Sequence, residues 1–340
     1  MKTKINLLNL LAVVSMVLAM LGLPTAVQAS AAPVAQSSGS QAVAVANRPT
    51  ATRANQPDAP NAVYTVGTGG TYLTLKAAFD DINSGVLTGT IQLDVIGDTN
   101  ELTVTAVLNA SGSGSASYTS VLIQPSGGVT RTISGATTAG SPLIDLNGAD
   151  NVTINGLNTG GNALVIANTT ASATSGTSTI RFIGGATNNT ITNATILGAF
   201  AASVATNGGN IYFATDALTA NGNDNNTISN NDIGPVNLTA LPTKGIYGNG
   251  SISTAAIGNN GIVITNNNIH DYFGAAVTSD GIYIAGGNSG WTITNNRFYQ
   301  TAPRVWTTGA NHRAIDIQNS TATTGAQGFT ITGNTIGFVS

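Results

Sequence analysis

The sequence predicts an all-β fold, a right-handed parallel β-helix (solenoid) with a short N-terminal capping helix. Three observations lead there. A phrase close to Thr-Ile-Thr-Asn-Asn recurs, as "TITNATI" (190–196), "TISNNDI" (227–233), "VITNNNI" (263–269), "TITNNRF" (292–298) and "TITGNTI" (330–336). The central Ile residues of this phrase and its sister "VTING" are Ile154, Ile191, Ile228, Ile264, Ile293 and Ile331, at intervals of 37, 37, 36, 29 and 38 residues. From residue 86 onward apolar residues alternate with polar ones in short runs bounded by Gly, Asn and Asp, as strands do. Repeats of this length mark solenoids, propellers or arrays. A propeller blade would carry its own signature, and a leucine-rich repeat would need a helix in each unit; neither is present.

The N-terminal elements come first. Residues 1–29 have the parts of an export signal: Lys2 and Lys4, an apolar run from Leu7 to Leu23, then "PTAVQAS" with small residues before a cut ahead of Ser30. The competing reading is an uncleaved anchor, but Asn9 and Ser15 interrupt the run. Residues 30–61 are rich in Ala, Ser, Gln and Pro without period, a composition that reads as a disordered linker. The expected folded domain is 62–340. It starts with one helix, about 74–84, in which Thr74 is the N-cap and Leu75, Ala78, Phe79 and Ile82 share a face.

Each later repeat has a second strand column, "LIDL" (143–146), "TIRFI" (179–183), "NIYFA" (210–214), "GIYGN" (245–249), "GIYIA" (281–285) and "AIDIQ" (314–318). In Thr-Ile-Thr the Ile points inward and the Thr residues outward. Two Asn columns follow. Asn193, Asn230, Asn266 and Asn295 form the first, with Gly333 at its end. Asn231, Asn267, Asn296 and Asn334 form the second, which Ala194 breaks. Asn tolerates the left-handed backbone of a sharp corner and hydrogen-bonds to its own kind when stacked. The second column is the expected buried ladder, because it persists to the last repeat. Eight or so turns are expected.

Composition narrows the function. Only 7% of residues are charged, against about 25% in ordinary domains. From residue 62 on, seven Lys and Arg face thirteen Asp and Glu, a balance of −6. No nucleic-acid partner is expected, since binding one needs a basic surface. There is no Cys, hence no disulfide, thiolate metal site or Cys nucleophile. No segment after the leader is apolar enough to span a membrane, so a secreted or cell-surface protein is expected.

The string "GTGGTYLTLKAAFDDINSG" (67–85), followed by "IQLDVIGDTNE" (91–101), and the repeat "GIYIAGGNSGWTITNNRF" (281–298) resemble the pectate-lyase-like superfamily of right-handed β-helix proteins. The resemblance spans about 63–340. It implies the fold, and a polysaccharide-related role that ranges from lyases, hydrolases and esterases to non-catalytic adhesins. For polygalacturonase-like hydrolases, "TSDGI" (278–282) is similar to the first motif and places Asp280 at the matching carboxylate. No Asp pair follows, and His312 sits in "NHR" instead of between glycines. The pectinesterase-like string is absent. Lyase-like members bind calcium through an Asp cluster, but the Asp residues here are scattered. "NGNDNN" (221–226) reads first as a polar turn and only second as a calcium loop, so no cofactor is expected beyond calcium as an outside candidate.

The remaining constellation is C-terminal. Asp280, His312, Asp316 and Arg313 are the weak catalytic candidates, with Asp280 and Asp316 expected one turn apart. Tyr283, Trp291, Arg297, Tyr299 and Trp306 are the candidate ligand contacts, since aromatic faces and Arg suit a sugar. Tyr247 and Tyr283 are expected to stack. The expected function is a structural or adhesive β-helix protein that binds an extracellular polysaccharide or cell-surface glycan. The alternative is a polysaccharide lyase or glycoside hydrolase acting on pectin-like or other extracellular glycans. The chain stops at "TIGFVS", directly after a repeat and without a polar cap. A bare β edge invites pairing, so the β-helix is expected to continue or this chain to be a piece of it. The oligomeric state is left open.

Overall fold

The computed structural model describes residues 62–215, 221–251, 257–318 and 328–337. The expected signal peptide (1–29) and the expected linker (30–61) lie outside the described residues. The described chain is a right-handed parallel β-helix of about seven turns, one fewer than expected. Its three long sheets have nine, eight and seven strands, and a small fourth pairs Asn259–Asn260 with Asn288–Ser289. In each complete turn the chain passes through the first, second and third sheet in order. One turn, for instance, runs through Thr227–Ser229, Asp232–Pro235 and Lys244–Gly248. Every turn pairs in parallel with the turns before and after it.

A helix, Leu75–Asn83, covers the N-terminal end of the core. Thr74 Oγ1 accepts from Ala77 N at 3.1 Å, and Leu75, Ala78, Phe79 and Ile82 are buried. Glu101, the one Glu of the chain, reaches back from the second sheet's first corner. Its two carboxylate oxygens accept from Leu75 N and Lys76 N, each at 2.9 Å. A carboxylate on free N–H groups at a helix N-terminus is favoured by both hydrogen bonding and the helix dipole.

The Ile column is as the repeat predicts. Ile154, Ile191, Ile228, Ile264, Ile293 and Ile331 are direct partners across successive strands. Ile191, Ile228, Ile264 and Ile293 have no exposed surface.

The corner between the first and second sheets has one or two residues in its later turns. Asn193, Asn230, Asn266 and Asn295 stand there at φ of 56, 57, 57 and 56°, and Gly333 at 67°. Only Gly and, among other residues, chiefly Asn and Asp accept this backbone at small cost. The next residue is the ladder. Asn231 Nδ2 donates to Asn267 Oδ1 (3.1 Å), Asn267 Nδ2 to Asn296 Oδ1 (2.9 Å) and Asn296 Nδ2 to Asn334 Oδ1 (3.0 Å). Each Nδ2 also donates to the carbonyl of an Ile in the preceding turn, Ile191, Ile228, Ile264 or Ile293. Each Oδ1 also accepts from the backbone N–H below it. Ala194 therefore starts the ladder instead of interrupting it: its N–H donates to Asn231 Oδ1 at 3.0 Å.

Two more buried ladders were not anticipated. Asn189 Nδ2 donates to Asn226 Oδ1 (3.0 Å), at the start of the first-sheet strands. Asn223, Asn259 and Asn288 form the other, at 2.8 and 3.0 Å.

The ladder makes a testable contrast. Asn267→Ala strips partners from buried Asn231 N, Asn231 Nδ2 and Ile228 O, each worth about 1–3 kcal/mol when orphaned. It should lower stability by at least ~2 kcal/mol in urea unfolding. Asn266→Gly, one residue away, keeps the corner backbone and should cost far less. Equal losses from the two substitutions would contradict the ladder's role.

Candidate functional site

Long connections that the structure describes in full gather at the corner between the second and third sheets. There 199–208, 236–243, 271–278 and 300–311 lie on one another in successive turns. Thr243 N donates to Phe200 O, Phe273 N to Pro242 O and Thr307 N to Ala275 O, each at 2.8 Å. Tight packing forces side chains inward elsewhere. Here the chain leaves the sheet and brings polar and aromatic side chains together. The C-terminal constellation falls into three separate groups around this corner.

The first group lies against the third sheet. Tyr212, Tyr247 and Tyr283 stack in register with ring centroids 5.3 and 5.2 Å apart. Thus Tyr247 and Tyr283 stack as expected, but loop 199–208 and its neighbours bury the column. Tyr283 is only 7% exposed. Lys244, fully buried, donates from Nζ to the carbonyls of Ser203 (3.0 Å), Val204 (3.2 Å) and Thr206 (2.7 Å). It also lies 5.1, 4.9 and 5.9 Å from the Phe200, Tyr247 and Tyr283 ring centres. Burial pulls its pKa down to about 7, against the opposing pull of the Asp280 charge. Three carbonyl acceptors and aromatic faces favour its charged form.

Asp280 is fully buried beside it, and burial pushes its pKa up, while Arg313 pulls it back. The register corrects the expected Asp280–Asp316 pair. Asp280 is the partner of Arg313, and Asp316 that of Tyr283. The Arg313 guanidinium sits between the two carboxylates, with Nε 2.7 Å from Asp280 Oδ1 and Nη2 2.8 Å from Asp316 Oδ2. His312 neighbours Arg313 in sequence, but it belongs to the third group.

The second group is charged and lies outside the second sheet. His270 Nδ1 is 3.0 Å from Asp271 Oδ2, and its Nε2 is 3.4 Å from Asp232 Oδ1. Asp271 is 1% exposed; it also binds Arg304 Nη2 and accepts from Thr301 N (2.8 Å) and Oγ1 (2.7 Å). These bonds hold its pKa down although burial alone would raise it. Gly234 leaves the space under the imidazole: a Cβ there would meet His270 Cε1 at 2.4 Å. Tyr299 stacks on His270 at 5.2 Å, and the exposed Arg297 lies over Tyr299 at 5.5 Å. Arg297 shares a column with Asp232, Asn268 and Thr335, the slot its repeat position predicts.

The third group is aromatic. His312 stacks on Tyr272 (4.6 Å), and Trp306 meets Phe273 edge-on (4.7 Å) with His312 at 6.3 Å. Packing of the imidazole against Tyr272 and the nearby Arg304 charge lower the His312 pKa. Gln300 joins this group to the second: its Oε1 accepts from Arg304 Nε at 2.9 Å, and its Nε2 is 3.3 Å from His312 Nε2. A cavity of about 170 Å³ opens beside it at the last turn, with Tyr272, Tyr299, Gln300 and His312 on its polar side and Phe298, Ala314 and Ile336 on its apolar side. Trp306 is 36% exposed.

Trp291 belongs to none of these groups. It has no exposed surface, packs edge-on against Phe213 at 5.4 Å, and donates from Nε1 to Asn259 O. As a candidate ligand contact it is corrected to a core residue: its position before Thr292 falls on the inward face. Its six-residue phrase "GWTITN" parallels "GIVITN", where the matching Ile262 is also buried. Reasoning from residue type alone passed over Phe273, Gln300 and Lys244. Lys244 had one signal: it is the single Lys within the repeats, at the start of a strand. At "NGNDNN", Asp224 Oδ1 accepts from Asn260 N at 2.7 Å, and Asn223 belongs to a ladder. No group of three or more His, Asp or Glu side chains poised for a metal occurs among the described residues.

No protein-family model and no curated protein matches the sequence. Solved structures do. YbhC of Escherichia coli is 13% identical with a TM-score of 0.50, over 84% of this chain and 74% of that one. Pectin methylesterase from Aspergillus niger is 14% identical with a TM-score of 0.39, over 83% and 87%. PfbA, a surface adhesin of Streptococcus pneumoniae, is 14% identical with a TM-score of 0.42, over 78% and 76%. At such identities the likeness is one of fold, a parallel β-helix.

His270 gives a pH prediction. Burial alone would lower its pKa, but the bonds to Asp232 and Asp271 raise it above 6.5. A raised folded-state pKa contributes stability that is complete below 6.5 and is lost as pH rises through the folded value. The melting temperature should therefore fall across the pH range just above 6.5, and His270→Gln should flatten that slope. An unchanged slope in the variant would contradict the assignment.

Proposed function

We propose that the protein is an extracellular, non-catalytic β-helix protein with a structural or adhesive role that binds a polysaccharide. The binding surface is the loop corner carrying Tyr272, Phe273, Trp306, His312 and the Arg297–Tyr299 pair. The observation that supports this most is the cavity lined by Tyr272, Tyr299, Gln300 and His312, next to the exposed face of Trp306. Sugar sites combine aromatic faces with a few placed polar groups, and this corner has both. Tyr283 and Trp291 are inside the protein and take no part.

The carboxylates argue for binding without cleavage. Glycoside hydrolysis uses two carboxyl groups flanking the scissile bond, one able to protonate the leaving oxygen. Asp280 and Asp316 share one guanidinium, and Asp271 is held by Arg304 and His270. A lyase needs a base free to take a proton. Lys244, the group with the most depressed basicity here, has Nζ bonded to three carbonyls in a closed site.

Calorimetric titration with a panel of neutral and acidic oligosaccharides tests the proposal. Binding should appear, and Trp306→Ala should weaken it by roughly tenfold or more, about 1.4 kcal/mol, with the melting temperature unchanged. New reducing or unsaturated ends released by the wild type and lost in Asp280→Asn would overturn it in favour of an enzyme.

A further inference from the structure

The outer face of the first sheet has no part in the loop corner. Six of its rungs, 151–156, 188–193, 225–230, 261–266, 290–295 and 328–333, contain no charged residue. The register sets two outward columns. One is Thr153, Thr190, Thr227, Val263, Thr292 and Thr330. The other runs from Asn155 through Thr192, Ser229, Thr265 and Thr294 to Thr332. The rungs are joined without a register shift, so the hydroxyls form a two-dimensional grid. Its repeats are ~4.8 Å between strands and about 6.8 Å along a strand.

We propose that this face binds an ordered lattice of water, the surface of ice. Three properties select that occupant. Charge comes first: a face without formal charge complements a partner without one, and gives no counterions to release to a polyanion. The second property is the kind of group displayed. A Thr hydroxyl both donates and accepts, as water does, and its methyl group stands at a fixed place beside it. Neighbouring hydroxyls already bond along the columns, Ser229 Oγ to Thr192 Oγ1 and Thr294 Oγ1 to Thr265 Oγ1, each at 3.0 Å. These bonds leave lone pairs for water. The third property is rigidity. Thr is stiff at χ1, and the Asn231–Asn334 ladder at the end of these strands, joined in two rungs by Asn189–Asn226 at their start, holds the rungs in place. Water bound on such a grid is ordered before the lattice arrives, so little further ordering is needed at contact. The two repeats lie in the range of oxygen repeats on faces of hexagonal ice.

Other partners fit less well. A sugar lattice is gripped by aromatic faces, but the aromatic residues of these rungs, Trp291 and Phe329, pack on the core. A protein partner needs an apolar centre, and Val263 is the single outward aliphatic residue in the two columns.

The test freezes a solution of the full chain slowly and measures its enrichment in the ice, together with growth-arrest of single ice crystals below the melting point. The wild type should be enriched and should shape the crystals. Thr227→Lys with Thr294→Lys should reduce both to the level of a non-binding control protein. Thr227→Val with Thr265→Val, a change that Val263 shows the columns accommodate, should weaken both while leaving the melting temperature unchanged. Trp306→Ala should retain full ice binding, which separates this face from the glycan reading. Wild-type protein excluded from ice, or Lys variants as enriched as wild type, would overturn the proposal. Capture on crystalline cellulose or chitin that the Lys substitutions abolish, with no ice enrichment, would overturn it in favour of a solid polysaccharide.

Discussion

At the corner between the first and second sheets the chain must reverse within one or two residues and still bury its backbone. Water cannot reach the inside of that corner, so each N–H and C=O there needs a protein partner. The stack of Asn231, Asn267, Asn296 and Asn334 supplies them. Each ladder Nδ2 donates to a carbonyl of the previous turn and, in Asn231, Asn267 and Asn296, also to the next ladder Asn, while each Oδ1 takes a backbone N–H. The left-handed residue just before it makes the side chain face inward. The two Asn columns are therefore one device: the first bends the chain, and the second satisfies what the bend exposes.

The rest of the architecture depends on that corner. Because it admits almost no extra residue, insertions collect at the other two corners, and the one between the second and third sheets holds the charged and aromatic groups. There the loops hold Lys244, His270, Asp271, Arg304 and His312, in a chain otherwise poor in charge. Buried charge in this region is paired. Arg181 meets Asp145 through two bonds of 2.9 and 2.7 Å, Arg313 joins Asp280 to Asp316, and Lys244 rests on carbonyls and rings. Unpaired buried charge is costly. The ion pairs therefore let polar side chains occupy this corner without destabilising the turns beneath. The opposite pattern rules the first sheet. Six of its rungs carry no charged residue, and their two outward columns hold Thr, Ser and Asn with the single exception of Val263.

Much of the fold was legible because a solenoid writes the same constraints in every turn. The Ile column, the choice of the second Asn column as the buried one and the Tyr247–Tyr283 stack all follow from repetition, and the cap helix from its own N-cap and apolar face. The Asn189–Asn226 and Asn223–Asn259–Asn288 ladders were less visible, since each runs through only two or three turns. The candidate site was harder still. It lies in loops whose lengths differ from turn to turn, so spacing does not say which side chains meet. Asp280 and Asp316 look like a pair when counted by the period, yet strand register puts Arg313 opposite Asp280. Trp291 looks like a sugar platform by residue type, yet the alternation within "GWTITN" turns it inward.

The central claim is that the ladder corner holds the turns together. Hydrogen exchange measured residue by residue tests it most directly. The backbone amides of Asn231, Asn267 and Asn296, each bonded to the next ladder side chain, should exchange only through the largest opening of the β-helix. They should rank with the core Ile amides and far behind loop 271–278. Ladder amides that exchange as fast as that loop would contradict the account.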